Sequence, residues 1–341
     1  MKTYKHLFEQ ICSFENLLKA YERFRRGKKW RRDVLEFDYF CEKELLALQD
    51  ELISLTWQPS PPKTFYIFEP RKRLIAAAAL RDRIVHHAYC NVVEPIFDKR
   101  LIYDTYACRK DKGTLSALRR FGKFTRELLS YYDDSRIYFF KGDILKYFEN
   151  IDHSILIKVI EKRIKDERTI WLTRKILGTG TGIPIGNLTS QFFANLYLGE
   201  LDQFIKHNLR VKHYIRYMDD FVILDVCKKR LGYLKAEIGG FLNDNLKLRI
   251  HPQKQVIAPL RRGIDLLGYR VYSTHKRLRR DNVRRFRKRL KLMRYKYKMG
   301  KISLNQISSS IRGWIAYSRS ARSFNLRKKL LGNFVIFKEN E

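Results

Sequence analysis

The sequence lacks the cysteine pattern of a disulfide framework or a zinc site. Its five cysteines lie far apart, with no Cys-X-X-Cys pair and no histidine nearby at zinc-ligand spacing, so we interpret them as reduced thiols. It also lacks an apolar run long enough to span a bilayer. The N-terminus is amphipathic and carries acids, unlike a secretory signal. These absences predict a cytoplasmic location, in a cell or an infected host, and no membrane partner.

Acidic residues are scarce relative to basic ones. Lysine and arginine number 71 and aspartate and glutamate 36 among the 341 residues, which gives a net charge of +35. This excess is far beyond what solubility requires and indicates a polyanionic partner. Nucleic acid fits better than a membrane surface because aromatic residues are spread along the whole chain, although charge alone would also fit a ribosomal protein. A hydrophobic content of 45% predicts a folded protein of two or three subdomains.

The hydrophobic pattern changes along the chain. Apolar residues at helical spacing over residues 4–56 predict a helical region, which closely spaced prolines end. Strand-like and helix-like patterns then alternate. Residues 276–298 contain thirteen basic residues and one acid, with apolar residues stepping by three and four, and predict a helix that presents cations on most of its surface. We therefore predict three segments, residues 1–60, 61–275 and 276–341.

Three aspartates could carry chemistry. Asp143 ends an apolar run, and Asp219 and Asp220 separate two strand-forming runs that predict a hairpin with acids at its turn. Nucleotide addition develops negative charge on two oxygens, which two magnesium ions about 3.5–4 Å apart can stabilise, and carboxylates are the ligands that such ions prefer. An Asp-Asp pair is also ordinary turn chemistry. Neither element decides between the two interpretations alone.

Five motifs in order along the chain resemble those of a known family. Tyr-Met-Asp-Asp at residues 217–220 resembles the hallmark of reverse transcriptases, and residues 141–152 resemble the first-aspartate motif of the same palm domain. Three further segments resemble the fingers motif, the second conserved block and the primer-grip region: Glu69–Ala88, Tyr106–Leu118 and Gly263–Val271. The resemblance implies an α+β right-hand polymerase with fingers, a palm with an antiparallel sheet and a helical thumb. Fingers and palm would occupy residues 61–275, and residues 276–341 would be a basic thumb that grips the primer–template duplex through phosphates.

The resemblance implies a catalytic role for the three aspartates. Asp143 and Asp219 would ligate two Mg²⁺ ions, with Mn²⁺ as a possible substitute. The main-chain oxygen of Ile144 would be a further ligand, and Asp220 would assist from beside them.

Nucleotide-binding roles follow from the same resemblance. Phe148 falls where the family places an aromatic gate against the ribose 2′-hydroxyl; a core phenylalanine is the alternative, and the two roles can coexist. Arg73 matches the fingers arginine that contacts the incoming triphosphate, a use that suits a guanidinium. Lys254 falls where the family often has a lysine that can protonate pyrophosphate, and a solvated surface lysine is the alternative.

One segment departs from the usual family pattern. In Gly-Ile-Pro-Ile-Gly-Asn-Leu-Thr-Ser-Gln, residues 182–191, Ile185 replaces the usual glutamine before Gly186, and Gln191 replaces the usual proline. This variant resembles the reverse transcriptases of diversity-generating retroelements, which copy a template RNA with errors at adenines. Isoleucine cannot form hydrogen bonds, so selectivity that depends on them is weakened. A neutral packing change in the loop is the alternative.

The resemblance to this subtype implies error-prone copying of a template-repeat RNA into cDNA, and thus hypermutation of a target gene, in a bacterial or phage-infected cell. The implied partners are the template RNA, the RNA–cDNA duplex, deoxynucleoside triphosphates and a small basic accessory protein that forms a pentamer. A group II intron-like or retron enzyme is an alternative, although the Val-Thr-Gly motif of many retron enzymes is missing. A non-catalytic RNA-binding scaffold and a DNA-templated polymerase are further alternatives. The three aspartates argue against a non-catalytic scaffold. The Tyr-Met-Asp-Asp turn and Phe148 argue against a DNA-templated polymerase.

Overall fold

The computed structural model describes residues 2–68 and 72–337. Within these residues the chain forms thirteen α-helices and nine β-strands. The helices are α1 (Phe8–Cys12), α2 (Phe14–Arg25), α3 (Arg32–Tyr39), α4 (Cys41–Ile53), α5 (Leu80–Asp98), α6 (Thr114–Leu129), α7 (His153–Glu161), α8 (Glu167–Leu177), α9 (Leu188–Gln203), α10 (Lys228–Leu246), α11 (Arg280–Lys298), α12 (Leu304–Arg319) and α13 (Phe324–Leu331). The strands are β1 (Lys63–Ile67), β2 (Arg73–Ala77), β3 (Tyr138–Asp143), β4 (Tyr214–Tyr217), β5 (Asp220–Asp225), β6 (Val256–Pro259), β7 (Ile264–Leu266), β8 (Tyr269–Val271) and β9 (Lys276–Leu278).

The described strands form three sheets. Strands β1 and β2 pair antiparallel, with Phe65 opposite Ile75. Residues 69–71, which come between them in the sequence, lie outside the described residues. A four-stranded sheet has the order β4-β5-β3-β6, and β7-β8-β9 form an antiparallel sheet of three strands. This mixture of helices and antiparallel sheet confirms the predicted α+β class.

One compact unit consists of residues 1–113, 141–222 and 233–255. Helix α5 is central to it, because α2 and α9 both pack against α5. The side-chain amide of Asn16 donates to the carbonyl of Ala88 at 3.1 Å and thereby ties α2 to α5. Helix α9 is buried on all sides over most of its length, which is the behaviour expected of a helix without a polar face.

Local capping determines where helices of this unit begin. The Asp152 side chain accepts hydrogen bonds from the main-chain nitrogens of Ser154 at 2.9 Å and Ile155 at 3.1 Å, and so satisfies donors at the start of α7. Lys247 donates to the other carboxylate oxygen at 2.6 Å. Burial tends to raise the pKa of Asp152, but these hydrogen bonds outweigh it and hold the pKa below its usual value. The cap therefore remains charged at neutral pH.

The other compact unit consists of residues 114–140, 223–232 and 256–341. Its helix α11 buries the apolar face that the sequence predicts, through Phe286, Leu290 and Met293. The Phe286 ring stacks on Trp314 of α12 with centroids 3.9 Å apart. The predicted helix over 276–298 is wrong at its start, because residues 276–278 form β9 and pair with β8. The helix begins at Arg280.

The division of the chain at residues 60 and 275 stays a prediction, since the two compact units combine segments that are distant in sequence. Among residues 2–68 and 72–337, none of the helices is both long enough and apolar enough to cross a membrane.

Candidate active site

Strands β4 and β5 form a hairpin with a two-residue turn, Met218-Asp219. The sequence predicted both Asp219 and Asp220 at the turn, and the structure corrects this by one residue, because Asp220 begins β5. Two-residue connections are the commonest hairpin turns, so strand pairing extends to Asp220. Met218 has a φ of +56°, in the left-handed region that residues other than glycine seldom adopt.

Asp143 ends strand β3, which lies next to β5 in the four-stranded sheet. The preceding Gly142 permits this approach. A Cβ atom at residue 142 would collide with the ring of Phe221, with one ring carbon 2.7 Å away. Because Phe221 follows Asp220 directly, the missing side chain of Gly142 allows close packing of the strand segments that carry Asp143 and Asp220.

The three carboxylates interact electrostatically. Burial raises the pKa of Asp219 to about 6, and the negative charges of Asp143 and Asp220 contribute to the same shift. The charged form of Asp219 is therefore disfavoured, first by burial and then by the two neighbouring negative charges. The structure therefore brings together the three aspartates that the sequence predicted.

Two lysines pair with these carboxylates. The Nζ atom of Lys254 donates to Asp143 Oδ1 at 2.8 Å, and the Nζ atom of Lys141 lies 3.3 Å from Asp220 Oδ1. The segment that carries Lys254 is held beside Asp143, because the main-chain nitrogen of His251 donates to the carbonyl of Asp143 at 2.7 Å. Lys254 is thus a partner of Asp143, and its side chain is 33% exposed.

Ile144, whose main-chain oxygen is predicted to be a metal ligand, is buried and forms an antiparallel bridge with Ile250. Phe148 follows in a short 3-10 turn and is half-buried, and its ring meets that of the buried Tyr147 edge-on, with centroids 5.6 Å apart. Phe148 is therefore not a fully buried core residue. Arg73 is exposed at the start of β2, opposite Ile67.

The glycine-rich loop that contains Ile185 is held on two sides. On one side, the main-chain nitrogen of Ile183 donates to the carbonyl of Phe148 at 2.7 Å. On the other side, the nitrogen of Ala76 in β2 donates to the carbonyl of Ile185 at 3.0 Å. Asn187 adds a third contact, because its side-chain oxygen accepts from the Ala78 nitrogen at 3.2 Å. The loop thus links the β1-β2 hairpin to the turn that carries Phe148.

Gly186 and Gln191 complete the set of predicted residues. Gly186 has a φ of +131°, and a Cβ atom there would lie 2.9 Å from the side chain of Ile75, so both conformation and space require glycine. Gln191 is exposed in the first turn of α9. The structure places Ile185 and Gly186 against β2, whereas Gln191 lies on the helix that follows.

Comparison with known proteins shows the family of the chain. The sequence profile of a family described as reverse transcriptase (RNA-dependent DNA polymerase) matches residues 63–271, more than half of the chain. The chain belongs to the reverse transcriptase family. This reverse transcriptase is an RNA-directed DNA polymerase, and enzymes with its domain act on template RNA with nucleotide substrates and generally use divalent metal ions.

Three known proteins are similar to this chain. Protein YkfC of Escherichia coli K12 is 28% identical over 69% of this chain and 72% of its own length. The group II intron-encoded protein LtrA of Lactococcus lactis is 22% identical over 86% of this chain, which spans only 57% of that relative. A solved structure of telomerase from Candida albicans, in complex with a fragment of telomeric RNA, is also similar. The match covers 65% of this chain and 46% of the telomerase chain, with a TM-score of 0.50 and 12% identity. That likeness concerns the fold alone and, with the family match, confirms the predicted right-hand polymerase.

The residues of this reverse transcriptase fit a divalent cation by chemical type. Asp143, Asp219 and Asp220 are hard oxygen donors, and the raised pKa of Asp219 shows that added positive charge would be stabilising. In the part of the chain that the structure describes, however, no three His, Cys, Asp or Glu side chains are already arranged to hold a metal ion. Lys254 and Lys141 pair with two of the carboxylates instead. In the metal-free protein, each of these two carboxylates thus has a lysine ammonium as a counter-ion.

Sequence reasoning missed two features of this site. Lys141 was not singled out, although side chains two residues apart on a strand share a face, which would have placed Lys141 beside Asp143. The other missed feature is the buried Arg216, whose guanidinium donates to the carbonyl of Met218 at 3.0 Å. Its position before the Tyr-Met-Asp-Asp turn was the only available signal.

Proposed function

We propose that this reverse transcriptase copies a template-repeat RNA into cDNA with frequent errors at adenine, as the enzymes of diversity-generating retroelements do. The observation that supports this proposal is Ile185, an apolar residue at a loop position where the usual family pattern has glutamine. Hypermutation of a target gene would be the result of this copying.

The loop geometry supports a role for the side chain, rather than the main chain, at residue 185. The main chain of Ile185 is fixed by Ala76 at 3.0 Å, and that of the nearby Ile183 by Phe148 at 2.7 Å. The backbone is therefore held independently of the side chain at residue 185. Replacing glutamine by isoleucine in such a loop removes a donor and an acceptor and adds apolar bulk, so discrimination that depends on a hydrogen bond is weakened.

The proposed catalytic residues are the three aspartates. Asp143 and Asp219 would hold two Mg²⁺ ions, or Mn²⁺ as a substitute, with the main-chain oxygen of Ile144 as a further ligand and Asp220 beside them. Bound ions would stabilise the negative charge that develops on the attacking and leaving oxygens. The family's two-metal chemistry and the repulsion of Asp219 by Asp143 and Asp220 support this assignment.

The proposed nucleotide-binding residues come from the β1-β2 hairpin, the Phe148 turn, the glycine-rich loop, helix α9 and the segment before β6 that carries Lys254. Arg73 would contact the triphosphate, Phe148 would exclude a ribose 2′-hydroxyl, and Lys254 would supply a proton to pyrophosphate. Residues 185, 186 and 191 would contact the nucleotide or the template. The glycine-rich loop links the β1-β2 hairpin to the Phe148 turn, and this link supports a common role for Arg73 and Phe148.

Two of the proposed macromolecular partners are nucleic acids, and the third is a basic protein. Template RNA and the RNA–cDNA duplex would bind through phosphates to basic surfaces such as α11, which carries most of its cations on its exposed side. Deoxynucleoside triphosphates are the proposed substrates. A basic pentameric accessory protein is proposed solely from the resemblance to the diversity-generating subtype.

A second candidate is a reverse transcriptase that acts with a group II intron. The similarity to LtrA, which extends over 86% of this chain, favours it. The two candidates differ in fidelity, because only the first requires selective errors at adenine.

The test is to sequence cDNA that the full chain makes from a defined RNA template with Mg²⁺ and four deoxynucleoside triphosphates. We expect errors opposite template adenine to exceed those opposite the other bases. Ile185→Gln should lower the adenine error rate about 3- to 10-fold, the worth of one hydrogen bond. Ile185→Leu, which keeps apolar bulk, should retain the parent's errors. Equal error rates at all four bases, or no effect of Ile185→Gln, would contradict the proposal and favour the second candidate.

A further inference from the structure

A fully buried ion pair joins the hairpin that carries Asp219 and Asp220 to helix α9. The side chains of Arg216 in β4 and Asp202 in α9 are both 0% exposed. The guanidinium donates twice to the carboxylate, from Nε to Oδ1 at 2.8 Å and from Nη2 to Oδ2 at 2.7 Å. This fork-to-fork arrangement is the strongest geometry that an arginine and a carboxylate can form.

Neighbouring groups complete the pair. The Tyr214 hydroxyl donates to Asp202 Oδ1 at 2.7 Å, and the Thr105 hydroxyl donates to Oδ2 at 2.7 Å. Asn195 accepts from the guanidinium through its main-chain oxygen at 3.1 Å. Burial disfavours the charged guanidinium, but the Asp202 carboxylate outweighs this effect and raises the pKa of Arg216 above its usual value. Arg216 is therefore a permanent cation in a fixed position.

The remaining guanidinium nitrogen, Nη1, is shared between the side-chain oxygen of Asn195, at 3.3 Å, and the hairpin turn. Arg216 Nη1 donates to the carbonyl of Met218 at 3.0 Å. Met218 is the first turn residue, with a φ of +56°, and the peptide bond that contains its carbonyl leads directly to Asp219. A left-handed conformation at such a residue persists only where surrounding contacts enforce it. The guanidinium supplies such a contact.

The energetics of buried ion pairs favour a geometric role over a purely stabilising one. Desolvation of two charges roughly offsets their attraction, so a buried pair contributes little net stability compared with well-packed apolar side chains. Lysine could not replace arginine here. Its single ammonium group cannot reach both carboxylate oxygens of Asp202 and also the Met218 carbonyl in the planar geometry of a guanidinium.

We propose that Arg216 is a positioning residue for nucleotide addition, which orients the Met218-Asp219 peptide and thereby places the Asp219 carboxylate. Asp202 in turn orients the guanidinium. The inference rests on the proposed catalytic role of Asp219, and it assigns to Arg216 no contact with nucleotide, metal or nucleic acid.

The experiment compares Arg216→Lys with Leu17→Ala in the full chain. Leu17 is a fully buried residue of α2, so its truncation lowers stability without altering the hairpin. For each protein, kcat and KM for dTTP are measured on a polyadenylate template with a DNA primer, together with thermal unfolding. Hydrogen exchange of the segment 217–220 is measured without metal or nucleic acid.

Arg216→Lys should lower kcat at least about tenfold, because displacement of a catalytic group by even about 1 Å can cost 100-fold. Its KM should change less than kcat, and exchange at the turn should become faster. Leu17→Ala should keep the parent's turn exchange and most of its kcat below its own unfolding temperature. If Arg216→Lys does not fold, the double variant Asp202→Asn/Arg216→Gln, which leaves no unpaired buried charge, should show the same loss of kcat.

Two results would overturn the inference: unchanged kcat and turn exchange in Arg216→Lys, or equal losses in Arg216→Lys and Leu17→Ala. Failure of the underlying assignment is distinguishable from either. An Asp219→Asn protein as active as the parent would refute the catalytic role of Asp219 itself, whatever Arg216 does.

Discussion

Asp219 combines burial with repulsion from two neighbouring carboxylates, Asp143 and Asp220. Its pKa in the folded protein is raised to about 6 from an ordinary value of 3.8. A carboxyl whose pKa is higher in the folded protein than in the unfolded chain stabilises the folded state at low pH. This stabilisation is lost as the pH rises from the pKa of the unfolded chain through the pKa of the folded protein. The charged Asp219 thus destabilises the metal-free protein at neutral pH, as expected of a residue retained for function.

Asp219→Asn should therefore be more stable than the parent in metal-free buffer. The gain should be on the order of 2 kcal/mol at about pH 7.5 and about half as large at about pH 5, where the native carboxyl is largely protonated. Urea denaturation at the two pH values measures this difference. Asp244→Asn on the exposed surface of α10 is the control and should show no such change. A variant less stable than the parent at neutral pH would contradict this electrostatic account.

Individual site residues differed in how far the sequence revealed them. The three aspartates could be identified because each lies in a short contiguous motif at the end of a strand-forming run. Pairing of Arg216 with Asp202 could not be identified, since it joins a strand to a helix fourteen residues earlier and depends on their packing. Contacts made through tertiary structure leave no local pattern in the sequence.

Among the secondary-structure elements, β3 and β5 matter most for the site, because they carry Asp143 and Asp220. Their approach depends on Gly142, where a Cβ atom would lie 2.7 Å from a ring carbon of the buried Phe221. Neither strand can shift easily, since β5 lies between β4 and β3 in the sheet. An added methyl group must therefore displace the ring or separate the strands.

Gly142→Ala should lower the free energy of unfolding by about 1–3 kcal/mol, the usual cost of overpacking a core, and should also reduce DNA synthesis. The matched control is Gly239→Ala in helix α10, where nothing lies within 4 Å of the added Cβ. That substitution should stabilise the protein by about 0.5–1 kcal/mol, because alanine favours helix. Chemical denaturation and primer extension check both variants. Equal stability of the two proteins would show that the ring of Phe221 does not constrain β3.

Most elements could be predicted from hydrophobic periodicity, and the exceptions have physical reasons. The strand β9 was included in a helix because Lys276 and Arg277 continue the cationic run that follows. Its strand character comes from pairing with β8, with Tyr269 opposite Leu278, and not from its own residues. Similarly, the position of Asp220 within β5 reflects the preference of hairpins for two-residue turns.

The whole molecule shows why a linear division of the sequence reveals only part of the architecture. Each compact unit combines three segments that are distant along the chain, and β3 and β5 contribute residues to both. The resemblance of five motifs to those of a known family nevertheless implied the polymerase fold and the reverse transcriptase family, and both are confirmed. The net charge of +35 agrees with an enzyme that binds nucleic acid through phosphates.

The most direct measurement is DNA synthesis on an RNA template with an annealed DNA primer, deoxynucleoside triphosphates and Mg²⁺, by the parent, Asp143→Asn and Asp244→Asn. Removing a metal-binding carboxylate forfeits several kcal/mol of charge stabilisation, so Asp143→Asn should be slower by about 1,000-fold or more. Asp244→Asn should match the parent, and synthesis should stop when a chelator removes divalent ions. Undiminished DNA synthesis by Asp143→Asn would contradict the claim that the three aspartates form the active site.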